Sequence, residues 1–165
     1  MNTALQDELQ RTDNEQLKAF FGKQASYYLD VVQDFRDGVR FRYHTPAFFL
    51  GIFWMLYRKM YAVFFITVLL IMLEQQVEEW LFPALVNNNA WNIVFTLAVA
   101  SAIGFLVNLL YIRHALGKIE EVRALQLGEE QTLTELRRRG STSWVGPLIL
   151  LGFLTLALYS ALVAG

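Results

Sequence analysis

Over residues 47–73 the chain is almost wholly apolar: AFFLGIFWMLY, then Arg58 and Lys59, then MYAVFFITVLLIML. A soluble domain of this size needs no such run, whereas a bilayer does. Two further apolar runs, 91–112 and 144–164, contain no charged residue. Spanning about 30 Å of hydrocarbon takes roughly 20 helical residues, so 47–57 is too short to cross by itself. Placing Arg58 and Lys59 at mid-bilayer would cost on the order of 3 kcal/mol each. The pattern predicts an all-α integral membrane protein with three transmembrane helices, over about 60–80, 91–112 and 144–164. A short interfacial or re-entrant helix over 47–57 precedes the first. The loop 82–89 holds Pro83 and three asparagines and reads as a turn.

Upstream the pattern is amphipathic. Residues 1–37 read as helix, with Thr12 and Glu15 at the spacing of a capping box. Leu17, Phe20, Phe21, Gln24, Tyr28, Val31, Val32 and Phe35 then recur at helical spacing, and all but Gln24 are apolar or aromatic. Such a helix must bury one face. The docking face Leu17, Phe20, Phe21, Tyr28, Val31, Val32 and Phe35 has three possible partners: the membrane surface, the rest of the chain, or another protein. The modest charge of the stretch argues against lipid-surface binding alone. Asp37-Gly38 ends the helix. Arg40, Arg42 and His44 alternate with Val39, Phe41 and Tyr43 in a short extended pattern, and Pro46 suits the first turn of a new helix. Residues 1–45 are thus expected to form a cytoplasmic amphipathic segment and 46–165 the membrane domain. Within the latter, 115–139 is a polar helical connector broken near Gly128.

Charge orients the chain. All 14 Lys and Arg lie before the first span or between the second and third. The positive-inside rule then places the N-terminus and connector in the cytoplasm, with the acidic 74–89 turn and the C-terminus on the periplasmic or extracellular side. The N-terminal stretch lacks the basic start and apolar core of a secretory signal. Net charge is −1 and no nucleic-acid motif is present, so a nucleic-acid partner is not expected. With no cysteine, disulfides, thiolate metal sites and a cysteine nucleophile are excluded.

Four groups of side chains are candidates for chemistry. Arg40, Arg42, Arg58, Lys59, Arg113, Arg137, Arg138 and Arg139, with Tyr57 and Tyr61 beside them, fall at the cytoplasmic face. Juxtamembrane cations of this kind attract anionic headgroups by about 1 kcal/mol each. They bind such lipids or an acidic partner, or they serve only to set topology. Thr96, Ala100, Gly104 and Asn108 recur every four residues, a small-residue face that lets another helix approach, with Asn108 able to hydrogen-bond across. Glu74, Glu78 and Glu79 offer oxygen ligands to a hard cation, but no His or Asp joins them, and a solvated acidic helix end is the plainer reading. The two histidines, His44 and His114, have no evident third ligand, so no metal site is expected. Ser101 lacks the glycines of a nucleophile elbow, and there is no phosphate loop or dinucleotide fingerprint, so neither an enzyme nor a cofactor is expected. Spans two and three carry no ionisable residue, which argues against a transporter acting alone.

Gly22-Lys23, Tyr27-Tyr28 and the run from Trp54 through Tyr61 (Trp-x-x-Tyr-Arg-Lys-Met-Tyr) carry a resemblance. With RRRGSTSW before the last span, they resemble a bacterial family of small membrane proteins, the domain of unknown function 2628. Members often show Asn-Trp where this chain has His44-Thr45-Pro46. The resemblance implies a bacterial inner membrane and no established activity. The expected function is a non-enzymatic interaction or scaffold protein with membrane lipids and a protein partner. The alternative is a homo-oligomeric channel or lipid-handling assembly packed through the small-residue face.

Overall fold

The computed structural model describes residues 3–39 and 41–164, with Thr3 and Ala164 described in backbone only. Among them all regular structure is helical and no strand occurs. The chain divides into two units. Met1–Thr45 joins Gly104–Ser141 in unit 1, and Pro46–Ile103 joins Thr142–Gly165 in unit 2.

Unit 1 begins with three helices where the periodicity predicts one: α1 (Thr3–Arg11), α2 (Asn14–Phe21) and, after a 3₁₀ turn at Gly22–Gln24, α3 (Ala25–Arg36). The first break has a local cause. Asp13 is extended (φ −65°, ψ 134°) and its carboxylate accepts the Glu15 N–H at 3.1 Å, so Asp13 caps α2. Thr12 turns the other way and donates to the Glu8 carbonyl at 2.8 Å, closing α1. The expected Thr12–Glu15 capping box is therefore not made, because the neighbouring aspartate takes the cap position. The second break is Gly22, at φ +58°, a conformation that glycine adopts without a Cβ penalty.

These breaks let the segment fold on itself. α3 packs on α1 and α2, and α2 packs on α9 (Glu129–Gly140). Arg36 ties the turn together. Its guanidinium donates to the Leu9 carbonyl at 2.8 and 3.2 Å, to the Thr12 carbonyl at 3.2 Å and to Asn14 Oδ1 at 3.0 Å. It satisfies carbonyls that the end of α1 leaves without intrahelical partners.

The rest of the core comes from α8 (Asn89–Arg123), a 35-residue helix about 52 Å long that contributes to both units. The apolar pattern places the end of this helix near 112, with a separate connector beyond. Arg113 and His114 do not break it, because both are tolerated in a helix and the following stripe of Ala115, Leu116, Ile119 and Val122 is buried in unit 1. The connector breaks at 124–128, where Gln126 has φ +50° and Gly128 precedes α9. Residues 104–141 thus group with the N-terminal helices in unit 1.

In unit 2 the 47–57 run is two helices, α4 (Thr45–Leu50, whose first residue falls in unit 1) and α5 (Ile52–Tyr57), separated by Gly51 at φ +49°. Lys59, also left-handed at φ +58°, separates α5 from α6 (Tyr61–Leu81). The run is therefore neither one helix nor continuous with the first apolar span. α5 packs on α6 and on α10 (Val145–Ala164). A Cβ at Gly146 would lie 3.3 Å from the Leu56 Cβ, so glycine permits this approach. A one-turn helix, α7 (Pro83–Val86), begins with proline, and Asn88 Oδ1 accepts the N–H groups of Ala90 and Trp91 at 3.0 and 3.2 Å. The asparagine run thus caps α8. α6, α8 and α10 are long and apolar enough to cross a membrane. Large apolar side chains such as Leu148, Phe153 and Leu162 of α10 are exposed. A helix apolar all round needs an apolar surrounding.

Two glycines separate packing from propensity. A Cβ at Gly140 would collide with the backbone carbonyl of Phe20, whereas one at Gly117 would meet nothing within 4 Å. Gly140→Ala should lower the thermal and denaturant stability of the detergent-solubilised protein by about 1–3 kcal/mol or more, because backbone must move. Gly117→Ala, inside α8, should raise it by roughly 0.5–1 kcal/mol.

Candidate functional site

A connected polar arrangement lies in unit 1, where the non-helical segment 41–44 runs along α8. The His44 N–H donates to the Gly104 carbonyl at 2.9 Å. Asn108, fully buried, donates through Nδ2 to the Arg42 carbonyl at 2.9 Å and to the Tyr27 hydroxyl at 3.0 Å. A glycine is required opposite Tyr43, since a Cβ at 104 would lie 2.7 Å from its ring. Tyr43 also meets Phe105 edge-on, with ring centroids 4.9 Å apart.

An aromatic cluster backs this contact. Tyr28 lies 4.7 Å from Tyr111 and 5.0 Å from Phe21 between ring centroids, and its hydroxyl is 3.4 Å from His44 Nε2. Arg42 stands over the Tyr27 ring, 5.2 Å from its centroid, and pairs with Asp34 at 2.8 Å. The polar groups of the cluster mostly bond one another. Asn108 Oδ1 is the exception and has no partner among the described residues. No group of three potential metal ligands occurs among the described residues.

The amphipathic face Leu17, Phe20, Phe21, Tyr28, Val31, Val32 and Phe35 is the core of this unit, each residue at most 2% exposed. It is covered by the chain itself and is not an open docking surface. Of its three possible partners, the rest of the chain is the one observed. The small-residue face is divided. Thr96 is exposed and Ala100 half-buried, whereas Gly104 and Asn108 receive the chain's own extended segment instead of another helix.

The basic residues fall in both units. Arg40 lies outside the described residues. In unit 1, Arg42 is paired to Asp34, Arg138 to Glu135, and Arg139 to both Glu135 and Glu121 at 2.8 and 2.7 Å. Hydrogen bonds from Arg138 and then Arg139 hold the Glu135 carboxyl down to about 2. Arg113 and Arg137 are exposed. In unit 2, Arg58 is buried with its guanidinium 5.7 Å from the Trp54 ring centroid, Lys59 and Tyr57 are half-buried, and Tyr61 is exposed. Tyr57 stacks on Trp144 at 4.8 Å and its carbonyl accepts the Ser143 N–H at 3.0 Å. The expected row of solvated cations is reduced, because carboxylates and an aromatic ring take up Arg42, Arg58, Arg138 and Arg139. Glu78, of the acidic trio, accepts a hydrogen bond from Trp91 Nε1.

Two open grooves on unit 1 had no sequence signal, because their walls come from four helices. One, about 420 Å³, is lined by residues including Asp7, Glu8, Arg11, Leu116, Ile119 and Glu120. The other, about 350 Å³, is lined by residues including Asp13, Glu15, Leu127, Glu129 and Leu133. Arg123 lines both and donates to Gln16 Oε1 at 3.0 Å. Tyr27, Asp34 and Tyr111 were also missed as cluster residues. The paired tyrosine was a signal for the first, while the other two need the fold.

A family model described as a protein of unknown function, DUF2628, matches residues 12–116. The chain belongs to the DUF2628 family. The match takes in the whole contact between 41–44 and α8, including Tyr27, Tyr28, Asp34 and Asn108, and leaves α1, α9 and α10 outside. No curated protein and no solved structure matches the chain.

Within the DUF2628 segment, Asn108→Ala should lower stability by about 1–3 kcal/mol, since it removes two hydrogen bonds and strands a backbone carbonyl. Chemical denaturation of the purified protein reads this loss. His114 gives a pH test. Burial, then the nearby Lys118 ammonium, hold its pKa below the ordinary 6.5, against an opposing pull from Glu121. The unfolded chain therefore binds the proton more readily than the folded one, and stability falls as pH drops through about 6.5 toward the lowered folded value. The protein should lose more stability between pH 7.5 and pH 5.5 than its His114→Gln variant, measured by thermal melts at matched ionic strength.

Proposed function

We propose that this DUF2628 protein is a non-enzymatic interaction protein of the bacterial inner membrane. It is anchored among lipids by α6, α8 and α10, with the N-terminus and unit 1 in the cytoplasm and the C-terminus on the far side, as the partition of lysine and arginine supports. The observation that carries the reading is that unit 1 closes its own core around its histidine, tyrosine and asparagine side chains. What it leaves open includes a charged surface with two adjoining grooves. Carboxylates of Asp7, Glu8, Glu15 and Glu129 rim those grooves over apolar residues of α8 and α9. Such a surface fits a basic segment of a protein partner, with complementary charge steering the encounter. Exposed Arg113, Arg137 and Tyr61 remain as contacts for anionic headgroups.

A second reading, a homo-oligomeric channel or lipid-handling assembly, retains one observation in its favour. Thr96 is exposed and Ala100 half-buried on α8, a short small-residue patch open to another helix.

Native mass spectrometry of the protein released gently from its own membrane separates the two. The first reading expects a heteromeric complex that dissociates in an Asp7→Lys/Glu15→Lys variant, both exposed positions. A homo-oligomer insensitive to that change but broken by Thr96→Leu supports the second. A monomer in every case sinks both.

A further inference from the structure

We propose that unit 1 itself enters the bilayer, through an edge made by Phe41 and Tyr43 of the extended segment with Phe105 and Leu106 of α8. Its occupant is the boundary between lipid headgroups and acyl chains. The proposal rests on the reading of α8 as a membrane span.

Successive side chains of an extended strand point to opposite sides. In this segment His44 is buried and Arg42 is held by Asp34, while Phe41 and Tyr43 alternate with them and are 52% and 39% exposed. The ring contact between Tyr43 and Phe105 brings the exposed side of the segment to α8, where Phe105 and Leu106 are 48% and 43% exposed. Tyr43 and Phe105 thus meet at an exposed apolar edge of unit 1 with Leu106 adjoining, and alternation sets Phe41 on the same side of the segment as Tyr43.

Two further observations select lipid as the occupant. On α8 itself, Val94, Ala98, Ala102 and Leu106 are all exposed at steps of four residues. This is a single apolar stripe on an unbroken helix. Whatever solvates Val94 and Ala98 continues to Leu106, next in the helix to Phe105, on which Tyr43 packs. The second is backbone bonding. Non-helical chain at membrane depth is tolerated only where its N–H and C=O groups are satisfied by protein. In this segment the Arg42 carbonyl is taken by the side-chain amide of Asn108, and the His44 N–H by the carbonyl of Gly104. A segment lying in water needs no buried asparagine on an otherwise apolar helix to serve it. Tyr43, an apolar ring with a polar end, suits the interfacial depth.

The absence of cysteine makes the test direct. Single cysteines at Phe41, Leu106, Leu97 and Glu130, spin-labelled in nanodiscs of phosphatidylcholine and phosphatidylglycerol, report collision with oxygen against a water-soluble nickel chelate. The proposal expects labels at Phe41 and Leu106 to favour oxygen several-fold, as at Leu97, and the label at Glu130 to favour nickel. Should the Phe41→Cys protein fail to fold, Phe105→Cys, on the same edge and 48% exposed, reads the same surface. Labels near Phe41 that favour nickel while Leu97 favours oxygen overturn the proposal and leave the membrane reading standing. Labels shielded from both reagents overturn it by showing a protein cover. Preference for nickel at Leu97 as well removes the membrane reading itself.

Discussion

A buried asparagine on an apolar helix has to be hydrogen-bonded, and in this chain that requirement joins the two halves of unit 1. Asn108 bonds the Arg42 carbonyl, 66 residues away in sequence, and the Tyr27 hydroxyl, 81 residues away. Losing these partners would leave a polar amide buried among hydrocarbon, at a cost of several kcal/mol on apolar-transfer scales. The same bonds fix the extended segment against α8, close Tyr43 over Gly104 and set Tyr28 beside Tyr111. The aromatic cluster follows from this register, because a shift of one residue would turn His44 outward and Tyr43 inward.

Around that contact the helices are placed by short-range devices of known cost. Asp13 as a cap and Gly22 in a left-handed turn divide what would otherwise be one long helix. The apolar stripe can then close on itself. Each large side chain fully buried this way contributes roughly 1.5–3 kcal/mol. Arg36 links the end of α1 to the start of α2, and the absence of a Cβ at Gly140 lets α9 lie against the Phe20 carbonyl. Unit 1 is thus a self-sufficient helical body built on the C-terminal half of a helix whose N-terminal half is apolar and exposed.

The charged groups follow the same logic of local satisfaction. Glu135 holds Arg138 and Arg139, Asp34 holds Arg42, and Trp54 covers Arg58. Surface ion pairs such as that of Arg138 with Glu135 add little stability, with a median near zero to 1 kcal/mol. Their consequence for recognition is larger, because a paired arginine attracts an anionic headgroup less than a free one. The exposed surface of unit 1 includes the grooved side rimmed by Asp7, Glu8, Glu15 and Glu129.

By itself the sequence determined the helical class, the three apolar runs, the partition of positive charge and the stop at Asp37-Gly38. Each of these depends on composition or on a period of 3.6 residues, and so is visible within a short window. The glycines at 22 and 51 were also in view, but whether a glycine bends or merely sits in a helix depends on what its neighbours pack against. Tertiary structure decided the rest: that the amphipathic face of Leu17 to Phe35 is a core, and that Gly104 and Asn108 receive a strand-like segment instead of a helix. It also decided that α8 runs on through Arg113 and His114. The reason is the same in each case. A face that must be buried declares itself locally, but its partner comes from residues tens of positions away, and only the folded chain brings them together.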